Sequence, residues 1–199
     1  MSFFKQQKNN KGFTLVETMV AIFILTIALT SLINLTARSM FAARYARNEI
    51  TVNYLLQEVA DYIRNERDSI AFHKNLLPEG GWGNFLDQFG ADPISTCFLA
   101  NGCYFDVNTD SLAINPCEDT SSFGSLKCED FSYDQDAQGG AFYNYTSEVK
   151  SNFKRKIFMK SNPANEDELY VIVTVEWLNG NKVRNRDLKF SLLKWFDNN

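Results

Sequence analysis

From Thr18 to Ala37 the chain carries no charged residue, and the centre of this run, Met19 to Leu29, is almost wholly aliphatic or aromatic. At about 1.5 Å per helical residue, a helix over this run spans roughly 30 Å, the hydrocarbon thickness of a bilayer. A helix apolar on every side has to be surrounded on every side, by lipid or by other helices. The run is therefore a candidate membrane span. Before it stands a basic leader with Lys5, Lys8 and Lys11 and no acid; after it come Arg38, Arg44 and Arg47. The acid-free leader favours a cytoplasmic N-terminus.

A cleaved secretory signal has an apolar core of about 7 to 15 residues followed by a small-x-small site. The core here is longer, and Glu17 stands near its start. A carboxylate at the centre of a membrane helix costs roughly 2.5 to 3.5 kcal/mol and less near an interface, so Glu17 calls for a named partner.

Lys11-Gly12-Phe13-Thr14-Leu15-Val16-Glu17 resembles the class III signal of type IV pilins and type II secretion pseudopilins: a basic leader ending in Gly, then Phe, Thr, Leu, Ile or Val, and Glu fifth in the mature chain. The resemblance implies that a prepilin peptidase cuts between Gly12 and Phe13 and N-methylates Phe13. It also implies that Glu17 meets the Phe13 amine, that of a neighbouring subunit, as helices bundle into a filament. A carboxylate in low dielectric gains most from a cation a few ångströms away, which gives that pairing a physical basis.

Beyond Ala37 the pattern becomes amphipathic. Phe41, Tyr45, Val52, Leu55, Leu56, Val59, Tyr62 and Ile63 recur at helical spacings with charges between them, and no Gly or Pro occurs from Phe13 to Leu77. One continuous helix of about 55 to 60 residues is expected, its apolar stripe packed on the domain that follows. The stretch Tyr54 to Asp68, with Gln57-Glu58 leading into Arg64-Asn65-Glu66-Arg67-Asp68, looks like the same helix in V-type minor pilins, the pilus modification proteins.

The net charge of -4 hides a segmented chain: residues 75–147 hold eleven acids against Lys127 alone, and residues 148–199 hold ten bases against seven acids. The middle is rich in turn formers, beginning Pro78-Glu79-Gly80-Gly81-Trp82-Gly83, with no GxxxxGK phosphate cradle. Turn geometry explains these glycines, and Trp82 is expected to cover a core edge. Four cysteines, Cys97, Cys103, Cys117 and Cys128, lie here without a CxxC, and His73 is the sole histidine, which argues against zinc. In an oxidising compartment they pair in one of three ways; Cys97 with Cys103 and Cys117 with Cys128 is favoured because each closes a short loop. Asp106, Asn108 and Asp110 alternate like oxygen ligands of a calcium loop, but Ser111 and Cys117 replace the Gly and Glu such a loop needs, so a solvated acidic turn is favoured.

Leu169 to Trp177 is β-branched and aromatic, with Val171, Val173, Val175 and Trp177 in phase. Asn179-Gly180-Asn181 supplies a turn, Lys182 to Trp195 a returning strand, and Phe153 to Lys160 a strand before them. The fold class is α+β: a long N-terminal helix packed on a C-terminal antiparallel sheet, and the closing strands are again similar to V-type minor pilins and I-type pseudopilins. Lys154, Arg155, Lys156, Arg184, Arg186 and Lys189 raise the question of DNA. Protection of a sheet edge is the favoured role, since no stacking aromatics are interleaved.

These features divide the chain into a leader (1–12), a transmembrane and filament-core helix (13–37), its amphipathic continuation (38–74) and a head (75–199). The head comprises a Cys-rich acidic loop region (78–147) and an antiparallel sheet (150–197). No enzyme site, resident metal or cofactor is expected. The resemblance implies a minor pilin or pseudopilin, a structural subunit of a type IV pilus or a type II secretion pseudopilus. Its expected partners are prepilin peptidase, other pilin subunits, the inner-membrane assembly platform and membrane lipid. It would be single-pass in the inner membrane, then part of an extracellular or periplasmic filament. The alternative is a filament-tip adhesin or ligand-binding module built on the acidic Cys-bearing segment, or a DNA-uptake module.

Overall fold

The computed structural model describes residues 12, 14–72, 81–90, 97–107, 112–118, 124–135 and 141–195. Two helices are described, α1 (Leu15–Phe72, 58 residues) and α2 (Gly81–Gln88). The strands are β1 (Cys103–Tyr104), β2 (Asn115–Pro116), β3 (Asp130–Gln135), β4 (Ala141–Asn144), β5 (Lys150–Asn162), β6 (Asn165–Asn179) and β7 (Lys182–Leu193). The arrangement is α+β and pilin-like, with a long apolar N-terminal helix and an antiparallel sheet. The chain separates into two compact units, Met1–Arg47 and Asn48–Asn199, and α1 contributes to both.

In the second unit β5 is the central strand. One edge pairs along its length with β6, which pairs with β7; the other is shared by two short hairpins, β3–β4 at its start and β1–β2 around Ile157. The β6–β7 connection is the two-residue loop Gly180-Asn181, with Asn179 opposite Lys182 and Gly180 at φ +62°. A first loop residue at positive φ followed by one at negative φ is the II′ arrangement, whose twist matches the strands it joins.

The core lies between α1 and one face of this sheet. Val52, Leu55, Leu56, Val59, Ala60 and Ile63 are buried at spacings of three, four and seven, the apolar stripe of an amphipathic helix. Opposite them, Phe153, Ile157 and Met159 of β5 and Val171, Val173, Val175 and Trp177 of β6 are buried in alternation. Of the stripe expected from sequence, Phe41 and Tyr45 are exposed, and burial begins only at Val52.

The segment around Gly81 differs from the sequence expectation. It forms α2 instead of a turn, and Trp82, Phe85 and Phe89, spaced three and four apart, are buried with stacked or edge-on ring contacts. Burial of three aromatic rings outweighs the roughly 1 kcal/mol that each Gly costs inside a helix.

Candidate processing and assembly site

The residues singled out at the N-terminus belong to the first unit. Thr14 caps α1: its Oγ1 accepts the Glu17 N–H (3.3 Å) and its carbonyl accepts the Thr18 N–H (3.2 Å). With Glu17 three positions after the cap, Thr14-Leu15-Val16-Glu17 has the residues of a capping box, and the carboxylate sits at the positive end of the helix dipole. Local helix chemistry thus favours an acid at position 17 before any neighbour is considered. Glu17 is exposed, as is every described residue from Gly12 to Arg47.

Gly12 is exposed and lacks the left-handed backbone that would demand glycine; among the described residues, a Cβ built there meets nothing within 4 Å. The described residues therefore give no steric reason for glycine at this position. Phe13 lies outside the described residues.

The span that follows meets the polar requirement of a bilayer. A hydroxyl left without a partner in hydrocarbon costs on the order of several kcal/mol. Between Thr18 and Ala37 the hydroxyls of Thr18, Thr26, Thr30, Ser31 and Thr36 donate to the carbonyls of Leu15, Phe23, Thr26, Ala28 and Leu32, at 2.7–2.9 Å. Large apolar side chains from Leu15 to Leu35 stay at least half exposed. The helix is long and apolar enough to cross a membrane.

In the head, Cys97 is bonded to Cys103 and Cys117 to Cys128, and all four are buried. Asp106 is half-buried, and its Oδ2 accepts the Tyr145 N–H at 3.4 Å. Asn108 and Asp110, the other members of the calcium pattern, lie outside the described residues, as does His73. Burial pushes the Tyr145 hydroxyl far above the ordinary phenol range, and the nearby Arg155 guanidinium opposes this in part.

The six bases considered for DNA are not brought to one surface. Arg155 is buried toward α1, and Lys154, its neighbour along β5, is buried on the opposite face. Arg186 is paired with Glu49 at the α1 side. Arg155 and Lys154, grouped in sequence with bases of a surface patch or sheet edge, are instead the largest buried ionic side chains among the described residues. A signal for Arg155 existed: it is in phase with Phe153, Ile157 and Met159, so strict alternation puts it on the apolar face.

Residues 7–33 match the prokaryotic N-terminal methylation motif. No curated protein and no solved structure matches the chain. The motif, continuous with the apolar span, supports a type IV pilin-like protein, a substrate of prepilin peptidase that assembles with other pilin subunits. The N-terminal apolar helix and this signal fit membrane anchoring.

Proposed function

We propose that this chain is a minor pilin or pseudopilin, a non-catalytic structural subunit drawn from the inner membrane into a type IV pilus or type II secretion pseudopilus. The observation that carries the proposal is the methylation motif over residues 7–33, running without a break into a span whose hydroxyls are all internally bonded. Prepilin peptidase removes residues 1–12 and methylates the amine of Phe13. Residues 13–37 anchor the subunit in lipid with its N-terminus cytoplasmic, then pack against like helices. Residues 38–74 carry the head, 75–199. Gly12 belongs to this scheme as a residue read by the peptidase, in keeping with the open space around it among the described residues.

Co-expression with a prepilin peptidase, followed by mass analysis of the mature N-terminus, tests the proposal. The expected product begins at Phe13 with a methylated amine, and Gly12→Val leaves the leader in place. An intact leader on the wild-type chain, or a cut near Ala37, overturns it.

A further inference from the structure

On the sheet face away from α1, three ionisable residues stand in one row across three strands. Asp130 of β3 is the direct cross-strand partner of Lys154 of β5, and Lys154 is the direct partner of Glu176 of β6. Directly opposed residues of antiparallel strands project to the same face with Cβ atoms about 4.5 to 5.5 Å apart. Lys154 is fully buried and Glu176 is 1% exposed. The Lys154 Nζ lies 3.6 Å from Asp130 Oδ1 and 3.5 Å from the Leu126 carbonyl.

A strap, residues 124–128, lies against this row. Its Ser125 donates from N–H and Oγ to Glu176 Oε2 at 3.0 and 3.2 Å, and Cys128 at its end is bonded to Cys117. The other oxygen of that carboxylate, Glu176 Oε1, is buried and has no hydrogen-bond partner among the described residues. Lys154 and Glu176 are removed from water while the Asp130 side chain keeps 21% exposure, and each ion taken fully out of water carries a desolvation penalty on the order of several kcal/mol. Transfer of one proton from the ammonium to the Asp130 carboxylate leaves a neutral amine beside a neutral acid. In water their condensation is opposed by ionisation of both groups and by the solvent. Held side by side on one sheet face, well-oriented reacting groups reach effective concentrations of up to about 10⁵ to 10⁸ M.

We propose that Lys154 and Asp130 condense into an isopeptide bond that ties β5 to β3, with Glu176 carrying the proton. The Nζ lone pair attacks Cγ of the Asp130 carboxylic acid and the N–C bond forms. Glu176 takes a proton from Nζ and delivers it to the departing hydroxyl, the C–O bond breaks, and one water leaves. Amine plus acid gives amide plus water, with no oxidant, reductant or activating group. Asp130 is the acyl partner because its Oδ1 lies against Nζ, whereas the Glu176 carboxylate is held by Ser125. The bond does not depend on the role proposed for the N-terminal helix.

The test is the intact mass of the full-length chain, purified in mild detergent and then denatured with both disulfides reduced. The expected mass falls short of the sequence by one water. A tryptic map shows one branched peptide joining the segment after Lys127 to the segment containing Lys154. Asp130→Asn reaches the same product mass by losing ammonia. Lys154→Arg and Asp130→Ala keep the full sequence mass, and Glu176→Gln accumulates the unlinked chain while still forming both disulfides. A wild-type chain at its full sequence mass with both disulfides formed overturns the proposal. So does a water loss that maps to a succinimide or to Glu176.

Discussion

Arg155 on β5 donates from Nη1 to the backbone carbonyl of Leu55 on α1 at 3.2 Å, joining residues 100 positions apart. The same guanidinium donates to Glu58 Oε2 (2.8 Å) and to the Phe105 carbonyl (2.9 Å), and its carbon lies 4.7 Å from the centre of the Phe131 ring. It is 1% exposed, so a single side chain ties helix, loop and sheet in the interior of the head.

Truncating Arg155 should therefore be far worse than losing a surface charge. Arg155→Ala takes the guanidinium from the Phe105 carbonyl and from the half-buried Glu58 carboxylate, and a cost of about 3 to 5 kcal/mol is expected. Arg155→Lys recovers only part of it, because an ammonium cannot reproduce the planar fork that serves three acceptors at once. Urea denaturation of the detergent-solubilised chain, followed by tryptophan fluorescence, measures both; a loss under about 1 kcal/mol for the alanine variant would contradict the pinning role.

Gly124 is at φ +72°, and a Cβ there would run into the Glu176 carboxylate, whereas Gly180 is at φ +62° with open space around it. Gly180→Ala should cost only the left-handed backbone penalty of about 1 to 2 kcal/mol. Gly124→Ala should cost that plus displacement of the strap from the buried carboxylate. Comparing the two unfolding midpoints isolates the strap contact; equal losses would show that the strap yields freely.

Tyr145 supplies a pH dependence. Its hydroxyl is pushed up from 10.0 chiefly by burial, so at high pH the folded chain retains a proton that the unfolded chain gives up. That contribution is fully present below about pH 10 and is lost as pH rises past it. Tyr145→Phe keeps the ring stacked on Phe131, 4.5 Å between centroids, and removes the titrating group. Melting temperatures compared at about pH 8 and about pH 11 should fall less for the variant than for the parent. Parallel losses would place the alkaline sensitivity elsewhere.

What sequence reveals here follows how local each signal is. The span, the Thr14 to Glu17 start of α1 and the in-phase run Val171 to Trp177 depend on neighbours within a turn or a strand, so they are legible. The pairing Cys97–Cys103 and Cys117–Cys128 closes sequence separations of 6 and 11, the local solution. In contrast, β1 and β2 are two residues each and carry no periodicity to detect. The burial of Lys154 depends on which residues of β3 and β6 stand opposite it, a register that one strand's sequence does not contain. At α2 the two glycines outvoted an aromatic pattern, Trp82, Phe85 and Phe89, that only the core it fills makes decisive.

Glu17 has two physical reasons to be acidic, and they make different predictions. As the fourth residue of a capping box it serves its own helix, a role that glutamine fills nearly as well. As the carboxylate that meets the Phe13 amine of a neighbouring subunit, it needs its charge. Glu17→Ala should leave cleavage after Gly12 intact yet reduce incorporation into filaments, by the pairing that the pilin resemblance implies. Glu17→Gln preserves the cap and removes the charge, so it separates the two reasons. Assembly failing in Glu17→Gln as fully as in Glu17→Ala, with both variants cleaved and retained in the membrane, is the expected result, read by immunoblotting sheared filaments against the membrane fraction. Normal incorporation of the glutamine variant would assign the residue to helix capping and remove the inter-subunit pair.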